Sequence, residues 1–88
     1  MIILKTKNYK KNVNTLSSKE ISLLYKQEKF LEANIFYPNL HTKKLKGFPI
    51  EHVYSFRITR SHRGIFRLDG HKIILFAIGH RKDIYQSL

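Results

Sequence analysis

The chain contains no cysteine and no tryptophan. Without cysteine there is no disulfide framework, no thiolate metal site and no thiol nucleophile, and the composition fits a reducing cytoplasm. Acidic residues are scarce, six against 17 Lys and Arg. Paired carboxylates placed for general acid–base work are missing. The four glycines are scattered, so no Gly-rich loop exists to cradle a phosphate. A Ser-His-Asp arrangement with an elbow motif is also absent. No apolar run approaches the roughly 20 residues of a membrane span. The start, MIILKTK, meets lysine after three apolar residues and reads as a first strand rather than a signal peptide.

What is present is positive charge. The 88 residues carry a formal net charge of +11 with a pI near 10.1. They read as one domain, 1–88, with a small core. Such an excess favours a polyanionic partner: nucleic acid, an anionic surface or an acidic protein. Residues 1–50 hold ten lysines and no arginine, whereas residues 51–88 hold five arginines and two lysines. Arginine offers a rigid fork that matches phosphate in a bidentate manner, and lysine a mobile point charge. The second half is therefore where phosphate would be gripped with geometry.

Along the chain, Ile2, Ile3 and Leu4 form a short strand. Asn8 to Leu16 reads as a short helix capped by Asn8, with Tyr9, Val13 and Leu16 at helical spacing. Ser17 and Ser18 are good N-caps, with an acid three residues on from Ser17. Ile21, Leu24, Tyr25, Glu28, Leu31 and Ile35 then follow the 3.6-residue period. This predicts a helix over 18–34, stopped by Pro38. YPNLHTKKLKGFP is an irregular connector, pinned to the core by Leu40, Leu45 and Phe48. Val53 to Thr59, Arg63 to Leu68 and His71 to Gly79 read as three strands, the last two joined by a type I′ turn at Asp69-Gly70. The class is α+β.

The register decides what the arginines do. A connector of odd length, Arg60-Ser61-His62, pairs Thr59 with Arg63 and Arg57 with Ile65. Arg57, Arg63 and Arg67 then share one face, and Tyr54, Phe56, Ile58, Phe66 and Leu68 are buried on the other. The Asp69-Gly70 hairpin pairs Ile65 with Ile74 and Arg63 with Phe76, which brings His80 to the arginine face. Only Glu51, Asp69 and Asp83 lie in this half, too few to neutralise the arginines. Arg57, Arg63, Arg67 and Arg81 therefore read as an anion-binding cluster. Lys43, Lys44 and Lys46 could touch nucleic-acid backbone or form a solvated charge run.

The histidines, at His41, His52, His62, His71 and His80, show no i, i+4 metal spacing, and no metal or cofactor is expected. His80 stands apart by sitting at a strand end beside Arg81, where it could move a proton or remain a surface residue. Tyr85 could cover the core or stack on a base. Chemistry left to Arg, Lys, His and Tyr suits metal-free RNA cleavage. The 2′-hydroxyl attacks the adjacent phosphorus, and the protein supplies positive charge and proton transfer.

At KKLKG, YSFRITRSHRGIF and AIGHRKDIY the chain resembles the RelE/ParE superfamily of type II toxin–antitoxin toxins. GHRKDIY is the most specific part and looks like the RelE branch. The resemblance implies a RelE-like fold: an N-terminal strand and two helices packed on an antiparallel sheet whose last three strands form a meander. It implies a cytoplasmic toxin, a ribosome-dependent mRNA endoribonuclease that inhibits translation. The implied partners are a small acidic antitoxin, the ribosome and mRNA, with no membrane. Arg63 and Arg81 would bind the scissile phosphate. Tyr85 would stack on or orient the nucleotide, and His80 would move a proton. Arg57, Arg67, Lys43, Lys44 and Lys46 would hold RNA backbone. One family basic position falls on Ser55, and Gly64 stands where a bulkier residue is usual. A gyrase inhibitor of the ParE type and an inactive basic binding module are the alternatives.

Overall fold

Strand β1 (Ile2–Lys5) is followed by helices α1 (Lys7–Val13) and α2 (Ser18–Ala33) in a computed structural model that describes residues 1–47 and 49–85. A 3-10 turn over Pro38–Leu40 leads to a two-residue strand β2 (Lys43–Lys44). The meander β3 (Val53–Arg57), β4 (His62–Asp69) and β5 (Lys72–His80) completes a sheet of order β1-β5-β4-β3-β2. β1 runs parallel to β5, and the other pairs are antiparallel. The α+β order of strand, two helices and meander is the expected one. Among the described residues no helix is long and apolar enough to cross a membrane.

Local chemistry explains the helix ends. Ser17 and Glu20 form a reciprocal capping box, with hydrogen bonds of 3.2 and 2.8 Å, as the spacing predicts. The cap of α1 is Thr6 rather than Asn8: its hydroxyl accepts the Tyr9 N–H at 3.1 Å. Asn8 and Asn12 are used elsewhere. β1 stops at its pairing with Leu75, so the outer edge of β5 beyond that point lacks a strand. Asn8 Nδ2 donates to Phe76 O at 2.8 Å, and Asn12 Oδ1 accepts the Ile78 N–H at 2.8 Å. Side chains of α1 thus satisfy backbone groups that a buried edge would leave unpaired. Pro38 does not terminate α2. That helix ends at Ala33, where the extended Asn34 cap accepts the Phe36 N–H, and Pro38 instead begins the 3-10 turn.

The main core lies between the helices and one face of the sheet. Tyr9, Leu24, Leu31, Leu40, Phe56, Phe66, Ile73 and Leu75 are fully buried there, with Ile58 and Ile78 nearly so. Tyr54 and Leu68 pack against it, partly buried, so the expected apolar face is the observed one. Each fully buried Leu, Ile or Phe contributes about 1.5–3 kcal/mol. Tyr25, expected inside, is half exposed, with Lys5 Nζ 5.8 Å from its ring centre. Buried Glu28 accepts from Tyr9 Oη at 2.6 Å and from Lys5 Nζ at 3.0 Å. Burial, and then Glu28, push the Tyr9 phenol well above its ordinary range. Gly64 sits directly opposite Phe56, and a Cβ there would fall 2.3 Å from the Phe56 ring. The absent side chain at 64 is what lets Phe56 lie across the strand.

The pairing differs from the expected register. Arg57 lies opposite Arg63 and Ser55 opposite Ile65. The connector is therefore longer than three residues: Ile58 N–H bonds to His62 O at 3.1 Å, and Thr59 Oγ1 accepts the N–H groups of Ser61 and His62. The shift is even, so face assignments on β3 and β4 survive. The β4–β5 loop is Gly70-His71, with Asp69 opposite Lys72. Gly70 has φ 60 and His71 does not have positive φ, the type II′ pattern rather than type I′. A bulge follows: Phe66 faces Leu75 but Ile65 faces Ala77, so Phe76 is the extra residue. Beyond the bulge the alternation of β5 inverts. His80 therefore pairs with His62 on the helix side, not with the arginines.

Candidate active site

The open face of the sheet has its own small core of Val53, Ile65, Ala77 and Ile84, with Leu45 and Phe76 packed against it. Leu45 and Leu40 both pin the connector, on opposite faces; Phe48 lies outside the described residues. Ile84 belongs to a turn that follows β5, in which Asp83 and Ile84 N–H groups both donate to His80 O at 2.9 Å. Gly79 makes room for it: a Cβ at 79 would lie 2.9 Å from Ile84 Cδ1. Buried Ile84 thus holds the turn against the open face and sets Arg81 and Tyr85 beside it.

The result is a cleft of about 690 Å³ lined by Lys43 and Ser55 from β2 and β3, Arg57, Arg63, Arg81 and Tyr85, with His41, Thr42 and Lys82 at its sides. None of these lining residues is a carboxylate. Buried Ser55 forms part of the floor, where a long cation would have filled the space. Arg63 is anchored at one end: its Nη1 donates to Thr59 O at 2.9 Å and His62 O at 3.1 Å. A guanidinium has five donors on a rigid plane, so this anchoring aims the fork. Partial burial, and then the positive charges of Arg57 and Arg81, hold Arg63 below the ordinary arginine range, with Tyr85 pulling the other way. Crowded cations on a partly desolvated face favour an anion there.

The structure brings together Arg57, Arg63, Arg81, Tyr85 and Lys43. It does not bring His80 to them. The bulge turns that ring to the helix side, 6.0 Å from His62, and His80 Nδ1 accepts the Lys82 N–H at 3.2 Å. Arg67 shares the open face but sits between Val53 and Ile74, outside the cleft, with its buried Nε unpartnered among the described residues. Lys44 pairs with Tyr54 and so belongs to the other face. Lys46 lines an adjoining groove with Lys43, Leu45 and Tyr85. Sequence reading missed His41, Thr42 and Lys82. No strand alternation marks His41, whose left-handed backbone precedes the two-residue strand β2, and consecutive His41, Thr42 and Lys43 all line the cleft.

No protein-family model matches the sequence, and no curated protein matches it. Solved structures do. The chain superposes on the YoeB/ParE toxin from Agrobacterium tumefaciens with a TM-score of 0.76 at 16% identity, over 92% of this chain and 99% of that one. The fold is that of the RelE/ParE toxins. A chain of the RelB-RelE antitoxin–toxin complex from Methanococcus jannaschii superposes with a TM-score of 0.70 at 24% identity over 97% of this chain and 98% of that one. The archaeal RelE-RelB complex from Pyrococcus horikoshii OT3 gives 0.77 at 17% identity over 91% and 93%.

Proposed function

We propose that this protein is the toxin of a type II toxin–antitoxin pair and a ribosome-dependent mRNA endoribonuclease of the RelE branch. The observation that carries this reading is the carboxylate-free cleft in which Arg57, Arg63 and Arg81 converge beside Tyr85. In-line attack of a 2′-hydroxyl on the adjacent phosphorus builds negative charge on the phosphoryl oxygens, which preorganised guanidinium groups stabilise. Arg63 and Arg81 bind the scissile phosphate. Arg57 and Lys43 hold the flanking backbone, and Tyr85 stacks on the neighbouring base. The cleft is open and small for an RNA strand, which fits a protein that relies on the ribosome to present the message. In this reading Arg67, Lys44 and Lys46 are peripheral backbone contacts, and His80, paired with His62 on the helix side, is given no part in proton transfer.

The toxin acts in the cytoplasm. Its partner is an acidic antitoxin, which the net charge of +11 would draw in quickly. The RelB-RelE architecture of the neighbours supports such a partner. The test is to map mRNA ends in a translation extract. Cuts at codon-spaced positions on translating ribosomes, with naked RNA spared, are expected. Inhibited DNA supercoiling with intact mRNA would instead assign a ParE-type activity.

A further inference from the structure

His41 is the histidine that lines the arginine cleft. Its backbone is left-handed, with φ 48 and ψ 45, a conformation that is costly for most side chains and tolerated best by Gly, Asn, Asp and His. The surroundings hold it there. Its N–H donates to Pro38 O at 3.2 Å, and the next residue, Thr42, donates its hydroxyl to Ile35 O. Buried Gln27 donates to Asn39 O at 3.0 Å and to Arg57 O at 2.7 Å. One amide of α2 thereby ties the turn preceding His41 to the strand end that carries Arg57. His41 also lines a smaller neighbouring cleft of about 210 Å³, so it stands at the rim between two depressions.

The reaction proposed above needs a group to take the 2′-hydroxyl proton. Arginine cannot, since it stays protonated in proteins. The charged and titratable groups facing the two clefts are Lys26 of α2, Lys43 of β2, Arg57 of β3, Arg63 of β4, and Arg81, Lys82 and Tyr85 of the C-terminal turn. None is a carboxylate. An imidazole is the side chain among these whose ordinary titration range lies near neutrality. Resting on the RNA-cleavage reading, we propose that His41 is the general base of this cleft. The 2′-O–H bond breaks and its proton passes to the imidazole. The 2′-oxygen bonds to phosphorus as the P–O5′ bond breaks, and the 5′-oxygen takes a proton from the Lys43 or Lys82 ammonium. The products are a 2′,3′-cyclic phosphate and a 5′-hydroxyl; water then restores both protein groups.

The backbone at 41 dictates the variants. His41→Asn and His41→Gly both accept a left-handed φ, so they remove the base without straining the turn. Single-turnover cleavage of message on stalled ribosomes is measured from about pH 5.5 to 8, across the imidazole range. The wild-type rate is expected to rise over that range, and both variants are expected to slow cleavage on the order of 10²-fold or more and to lose that rise. Added imidazole restores a measurable part of the rate in His41→Gly. His71→Ala, in the β4–β5 loop, keeps the wild-type profile. Variants at 41 that retain the wild-type rate and pH profile overturn the inference and leave the cleavage reading standing. A wild-type protein that makes no cuts overturns both.

Discussion

On the helix-covered face of the sheet, Phe56, Gly64, Phe66 and Ile78 interlock and hydrocarbon excludes water. On the open face, the residues between them are Ser55, Arg57, Arg63 and Gly79. The two sets alternate along the same strands, so the backbone that stabilises one positions the other. The centre of the open face is closed by Val53, Ile65, Ala77 and Ile84, with Leu45 and Phe76 packed against them. The difference teaches that one strand register serves two faces of opposite character. The charged residues are held at fixed spacing by a core they do not belong to, and substitutions on the two faces should therefore separate stability from activity.

The largest effect is expected from Phe56→Ala. Removing a fully buried ring costs about 3–5 kcal/mol, a large part of a domain's usual total stability of roughly 5–15 kcal/mol. Denaturant unfolding should show a midpoint collapse. An unchanged midpoint would mean that the helix-covered face is not the stabilising one. Next comes Gly79→Ala, which puts a methyl 2.9 Å from Ile84 Cδ1. Moving the turn that carries Arg81 and Tyr85 by a fraction of an ångström should lower cleavage by about 10- to 10²-fold, while stability falls by only about 1 kcal/mol. Equal losses in both measurements would show that Ile84 is merely core.

The smallest effect lies at the start of α2. Its capping hydrogen bond from the Ser17 backbone first, then the Ser17 hydroxyl and His62, holds the Glu20 carboxyl below its ordinary range. Stability from this group is fully present above the usual glutamate value of about 4.3 and is lost as pH falls through the lower folded value. Glu20→Gln keeps an acceptor for the cap but cannot titrate. Its stability should fall less steeply than that of the wild-type protein below about pH 4.3. Identical slopes would show that the exposed cap carries no linkage.

Much of this division was legible in the residues. Period-2 alternation placed Phe56 and Phe66 opposite Arg57 and Arg63, and the 3.6-residue period placed α2. The register is less visible in the residues. The longer Ile58–His62 connector and the shifted hairpin loop were both even displacements, which preserve faces. The bulge at Phe76 is a single residue, and it moved His80 to the wrong side. A bulge stabilised by two asparagines 68 and 66 residues away in sequence leaves no local signal. Tertiary packing also decided β2. Lys43 and Lys44 have little strand propensity and pair with β3 because buried Leu40 and partly buried Leu45 pack on either side of them. The same seating brings His41 into the cleft, where spacing alone could not put it.

The claim that the open face is the working face is tested most directly by one triple substitution, Arg57→Ala, Arg63→Ala and Arg81→Ala. mRNA ends are mapped in a translation extract, and the unfolding midpoint is measured on the same preparation. The account predicts no codon-positioned cuts from a folded protein whose midpoint stays close to that of the wild type, because the removal of three crowded cations offsets the loss of the Arg63 hydrogen bonds to Thr59 O and His62 O. Codon-positioned cutting at the wild-type rate by the folded triple variant would contradict it.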